Sequence, residues 1–163
     1  MKRNLSTMLV MFFIDTFAMS TVPTAQAQDQ GSCSNPPAAG RWGFTTAGTV
    51  FPASGPVPVV VVGRFKLEAT GNIEGTQTRS LNGQPVDHET FTGTILVHPD
   101  CTATATIFVF HSGVLNRTAT LDLVFVDNLR AIRGVFTSAI AASGAIIGTV
   151  LTFDGNKQDD LRN

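Results

Sequence analysis

The chain has 163 residues, the length of about one domain, with 12 acidic and 11 basic residues and a formal net charge of −1. That balance excludes the basic stripe a nucleic-acid binder needs to neutralise phosphates. Only 14% of positions are charged against 43% hydrophobic, which also excludes the charge-rich, apolar-poor composition of disordered chains.

Residues 1–27 read as a secretory signal peptide. Lys2 and Arg3 supply a positive start, Met8–Ile14 is an unbroken apolar run, and Ala25-Gln26-Ala27 is a small-x-small cleavage pattern. Asp15 interrupts the apolar stretch, and the run is shorter than the roughly 20 residues needed to span a bilayer. Removal of the leader takes all four methionines with it and leaves a mature chain of about 136 residues. Without Lys2, Arg3 and Asp15, nine basic and eleven acidic residues remain, a net charge of −2. No later segment reads as a membrane anchor, so the expected product is soluble and secreted or periplasmic. Such a compartment is oxidising, which favours a bridge between the two cysteines, Cys33 and Cys101. Closing a loop of about 67 residues contributes roughly 4 kcal/mol in the chain-entropy model.

Residues 28–40 (QDQGSCSNPPAAG) read as an irregular N-terminal arm. From Arg41 onward, period-2 alternation rich in Val and Thr recurs and no helical periodicity is sustained. The expected strands are 41–51, 58–70, 73–81, 86–98, 102–110, 117–126, 129–138 and 146–154. In the second, Val59, Val61, Phe65, Leu67 and Ala69 share one face. In the fourth, Phe91, Gly93, Ile95 and Val97 alternate with threonines; in the fifth, Ala103, Ala105 and Ile107 do so. In the sixth, Ala119, Leu121, Leu123 and Phe125 share a face. Asn82-Gly83 predicts a type I′ hairpin, because both central residues need positive φ. The tail 155–163 is polar.

Short strands joined by tight turns describe an antiparallel meander, and eight of them most naturally close into a single up-and-down barrel, 41–154. Closure removes exposed edges, and an eight-stranded barrel is either filled by side chains or holds one small ligand. A two-sheet β-sandwich is the alternative all-β architecture.

Residues 71–83 (GNIEGTQTRSLNG) and 93–104 (GTILVHPDCTAT) resemble a group of secreted, largely uncharacterised bacterial proteins. These carry a G-N-x-x-G-x-x-T-x-S-x-N-G hairpin and a later G-T-x-x-V-x-P-D-C-T-G-T turn. Ala103 stands where the second pattern usually has glycine, and Ile95 where it often has tyrosine. The group is similar to the small barrels of the allene-oxide-cyclase and lipocalin-like (calycin) type. The resemblance implies a barrel with an apolar lumen and transfers no catalytic residue, because the matching positions are turn and disulfide residues.

Candidate chemistry is sparse. His98 shares a turn with Asp100, a conceivable base and its orienter, although Asp100 in such a turn ordinarily fastens its own backbone. His88 and Glu89 are adjacent, so on a strand they point to opposite faces. The histidines share no ligand spacing, so neither a metal nor a cofactor is expected. No serine elbow, P-loop or dinucleotide motif occurs, and whether the chain is an enzyme stays open. Asp122 lies opposite Leu121 and Leu123 in parity and is expected outside; inside, it would need Arg79, Arg117 or Arg133 as a partner. The apolar set is most simply core, and part of it can line a ligand cavity. The candidate ligand-binding residues are Trp42, Phe65, Arg79, Phe91, Phe108, Leu121, Phe125 and Arg133. Three readings follow: a barrel binding a small hydrophobic molecule, a cyclase or isomerase confining a hydrophobic substrate, and a structural or surface-interaction protein with a solid core.

Overall fold

The computed structural model describes residues 32–159; the leader and the last four residues lie outside the described residues. One helical turn, α1 (Asn35–Ala38), precedes eight strands: β1 (Gly40–Phe51), β2 (Val57–Leu67), β3 (Asn72–Leu81), β4 (Gln84–Val97), β5 (Thr102–His111), β6 (Val114–Val126), β7 (Ala131–Ala141) and β8 (Gly148–Lys157). Each strand pairs antiparallel with the next, and β8 returns to β1, so the sheet is a closed up-and-down barrel. The sandwich alternative is thereby excluded.

The alternation in the sequence fixes which residues face inward. Phe91, Ile95 and Val97 on β4, Ala103 and Ala105 on β5, and Leu121, Leu123 and Phe125 on β6 are all buried, while the intervening threonines are mostly outside. Ala69 departs from the expected β2 face. The chain has already turned at Glu68, whose N–H donates to Asn72 O, and Ala69 is exposed. Asn82 and Gly83 both have positive φ (48° and 80°), as the type I′ reading requires.

Three bulges break the period. On β4, Asp87 and His88 together oppose Thr78; on β6 the extra residue is Asn116, and on β7 it is Thr137. Each lets the inward set resume on the far side of an irregularity.

One end of the barrel is plugged. The bridge between Cys33 and Cys101, with Cα atoms 4.9 Å apart, ties the segment before α1 to the β4–β5 turn. Asn35 continues the β4 ladder beyond the first residue of β3: its Nδ2 donates to Ile95 O at 3.1 Å, and Val97 N–H donates to its Oδ1 at 2.8 Å. Beneath them the Trp42 indole, fully buried, donates to Ala38 O at 3.2 Å. Trp42 stacks on Phe65 and meets Phe125 edge-on.

Inward glycines make room for these rings. Phe44 is the register partner of Gly63, and Gly75 is paired with both Phe65 and Phe91. A Cβ on Gly63 would stand 2.6 Å from the Phe44 ring, and one on Gly75 would collide with the Phe91 ring. Glycine at these positions lets each aromatic lie flat across a neighbouring strand. The plugged end is therefore dense with aromatic side chains.

Candidate lumen site

Above the aromatic layer the barrel is not filled. A cavity of about 310 Å³ extends from Phe44, Phe65, Phe91 and Phe153 toward the hairpin end, where Pro52, Val57, Leu81 and Ile147 line it. This is the size range of small-molecule sites, and the wall is predominantly apolar. The β7–β8 ladder runs for five pairs, Ala131↔Asn156 to Val135↔Thr152, whereas every other neighbouring pair of strands runs for nine to eleven. Beyond it Phe136, Leu151 and Thr149 line the cavity beside unpaired backbone, until Ile147 N–H donates to Ala139 O.

The polar part of the lumen lies on the β3–β6 side. Glu89 on β4 is fully buried and is reached by three side chains from two other strands. Gln77 on β3 donates its Nε2 to Oε2 at 2.8 Å. Arg117 on β6 forks over the carboxylate, with its two terminal nitrogens 2.8 Å from Oε1 and 3.0 Å from Oε2. Arg79 on β3 brings Nε to 2.8 Å from Oε1, but the N–H is not directed at that oxygen, and this buried nitrogen has no aligned acceptor. Burial alone would raise the Glu89 carboxyl, but the hydrogen bond and charge of Arg117, with Gln77 and Arg79, outweigh it and hold it below the usual glutamate range. Burial and the neighbouring Arg117 charge push Arg79 down from the ordinary arginine value.

Of the residues singled out from the sequence, Phe65, Arg79, Phe91 and Leu121 line the cavity. Trp42 and Phe125 point inward but lie below it, in the plug. Two expectations fail. Phe108 faces outward and is 41% exposed, because it is out of phase with Ala103, Ala105 and Ile107 on the same strand. Arg133 also faces outward, between inward Ile132 and Gly134, and its Nε pairs with Asp154 at 3.0 Å with both side chains half exposed. Asp122 is outside, as its parity requires. Asp100 fastens its turn: its Oδ1 accepts from Thr102 Oγ1 and N–H, and these bonds lower its pKa.

Sequence reasoning missed Gln77, Glu89 and Arg117 as one site. Their signal was phase, since Gln77 is in step with Ile73, Glu89 with Phe91, and Arg117 with Ala119. Among the described residues no helix is long and apolar enough to cross a membrane, and no three His, Cys, Asp or Glu side chains cluster as metal ligands.

No protein-family model and no curated protein matches the chain. Among solved structures, one of EF1p2_mFAP2b bound to DFHBI is similar to it, with a TM-score of 0.46 and 16% identity over 74% of this chain and 93% of that chain. The barrel assignment rests on the strand pairing itself.

Proposed function

We propose that this is an exported barrel that binds a small, predominantly apolar molecule in its lumen. The observation that carries the reading is the cavity of about 310 Å³ above the aromatic layer. A barrel with a structural role alone has no need of it, since side chains can fill the interior of an eight-stranded barrel. The cyclase or isomerase reading has less support. Glu89 is the carboxylate nearest the lumen; Gln77 and Arg117 already donate to both of its oxygens and Arg79 lies in ion-pair contact, which makes it a weak base. Export is supported by the Cys33–Cys101 bridge, which suits an oxidising compartment, and by the leader pattern of residues 1–27.

The test is a fluorescence titration of the disulfide-bonded protein with an apolar dye that brightens on leaving water. Saturable binding of one dye per chain is expected, lost in Ala119→Phe, which places a ring in the cavity. Non-saturable brightening, or a titration unchanged by Ala119→Phe in a protein that still unfolds cooperatively, would overturn the reading.

A further inference from the structure

The walls of the cavity and the charges behind them do not balance. Arg79 and Arg117 line it, whereas Glu89 sits behind them, fully buried, and no Asp or Glu is among the lining residues. Two guanidinium groups therefore share one carboxylate, and one positive charge faces an apolar space with the side chains of both arginines only 16% exposed. A buried charge without a partner is costly. Arg117 is satisfied by its fork on Glu89. Arg79 is held by charge alone: its buried Nε lies 2.8 Å from Oε1 of the same carboxylate without an aligned hydrogen bond.

Arg79 lies two residues from Leu81, which pairs with Gln84 at the hairpin end of β3 and β4. The cationic face therefore lies toward the hairpin end, and the apolar rings of Phe91 and Phe153 lie toward the plug. A ligand matching this layout has an anionic head and an apolar tail. From this charge excess and its placement we propose that the lumen takes a carboxylate on a medium-length apolar chain, with its head on Arg79, beside the Glu89-bound Arg117, and its tail toward Phe91 and Phe153. The inference rests on the lumen-binding reading above and adds the head group to it. A guanidinium is the side chain best suited to a carboxylate, and a charge-assisted hydrogen bond between them is among the strong ones.

The experiment is calorimetric titration of the full chain, near neutral pH, with three probes sharing a ten-carbon tail: decanoate, decanol and decyltrimethylammonium. Decanoate is expected to bind roughly tenfold or more tighter than decanol, the scale of one charge-assisted hydrogen bond, and the cationic probe weakest. In Arg79→Gln the advantage of decanoate over decanol disappears while decanol binding is unchanged, and Arg79→Lys restores part of it. Equal binding of decanoate and decanol by the unaltered protein overturns the head-group inference and leaves the apolar cavity standing. Binding of none of the three overturns both. Should Arg79→Gln not fold, the ranking of the three probes on the unaltered protein decides by itself.

Discussion

Gln77 and Glu89 are register partners across β3 and β4, and the amide of one donates to the carboxylate of the other at 2.8 Å inside the barrel. Immediately beyond this pair β4 carries its extra residue, with Asp87 and His88 together opposite Thr78. The bulge allows Glu89 to stay in step with Phe91 on the inner face while Val86, nearer the turn, pairs with inward Arg79.

Removing the carboxylate should be costly. Glu89→Gln leaves two buried guanidinium groups without a counter-charge, and a loss of about 3–5 kcal/mol is expected, as for breaking one partner out of a buried ion pair. Urea unfolding of the variant and its parent measures this; a loss below about 1 kcal/mol, the scale of an exposed pair, contradicts the burial.

The same group sets the response to acid. A carboxyl with a lowered folded-state pKa contributes stability that is complete above its unfolded value, near 4.5, and is lost as pH falls through the folded value. Stability should therefore decline below the ordinary glutamate range, and the decline should be shallower in Glu89→Gln. Thermal unfolding followed between neutral and strongly acidic pH reports it.

The bulge itself has a backbone signature. His88 has φ of 59°, in the left-handed region, where a β-branched side chain is disfavoured. His88→Val is expected to cost about 1–2 kcal/mol, whereas His88→Gly relieves the strain and costs less than His88→Val. Denaturant midpoints of the two variants give the order.

Packing at the plugged end predicts a further asymmetry. Gly75→Ala should cost about 1–3 kcal/mol, because its new methyl meets the Phe91 ring and Arg64 O. Phe108→Ser, on the outer surface, should stay within about 0.5 kcal/mol. Both are read from the same unfolding curves.

The bridge should hold the plug in place. Replacing Cys33 and Cys101 together by serine should cost about 2–5 kcal/mol, as for removal of a native disulfide from a small exported domain. Alkylation of the unaltered protein, denatured but not reduced, should find no free thiol. Two reactive thiols there would refute the bridge.

Which residues face inward was written into the chain, because strand periodicity is local: a side chain's face depends on its neighbours two positions away. Phe91, Ala105 and Leu121 follow that rule, and it also puts Phe108 and Arg133 outside. Turn chemistry is equally local, as Asn82-Gly83 shows, and a succession of tight turns leaves few topologies besides a barrel. Convergence of Gln77, Arg79, Glu89 and Arg117 is of another kind. It depends on inter-strand register, which is set jointly by hairpin lengths and by bulges at Asp87-His88 and Asn116, and these bring together groups up to 40 positions apart. Four polar residues scattered over three strands thus become one cationic face only when the sheet closes, because closure excludes the water that would otherwise separate and screen them.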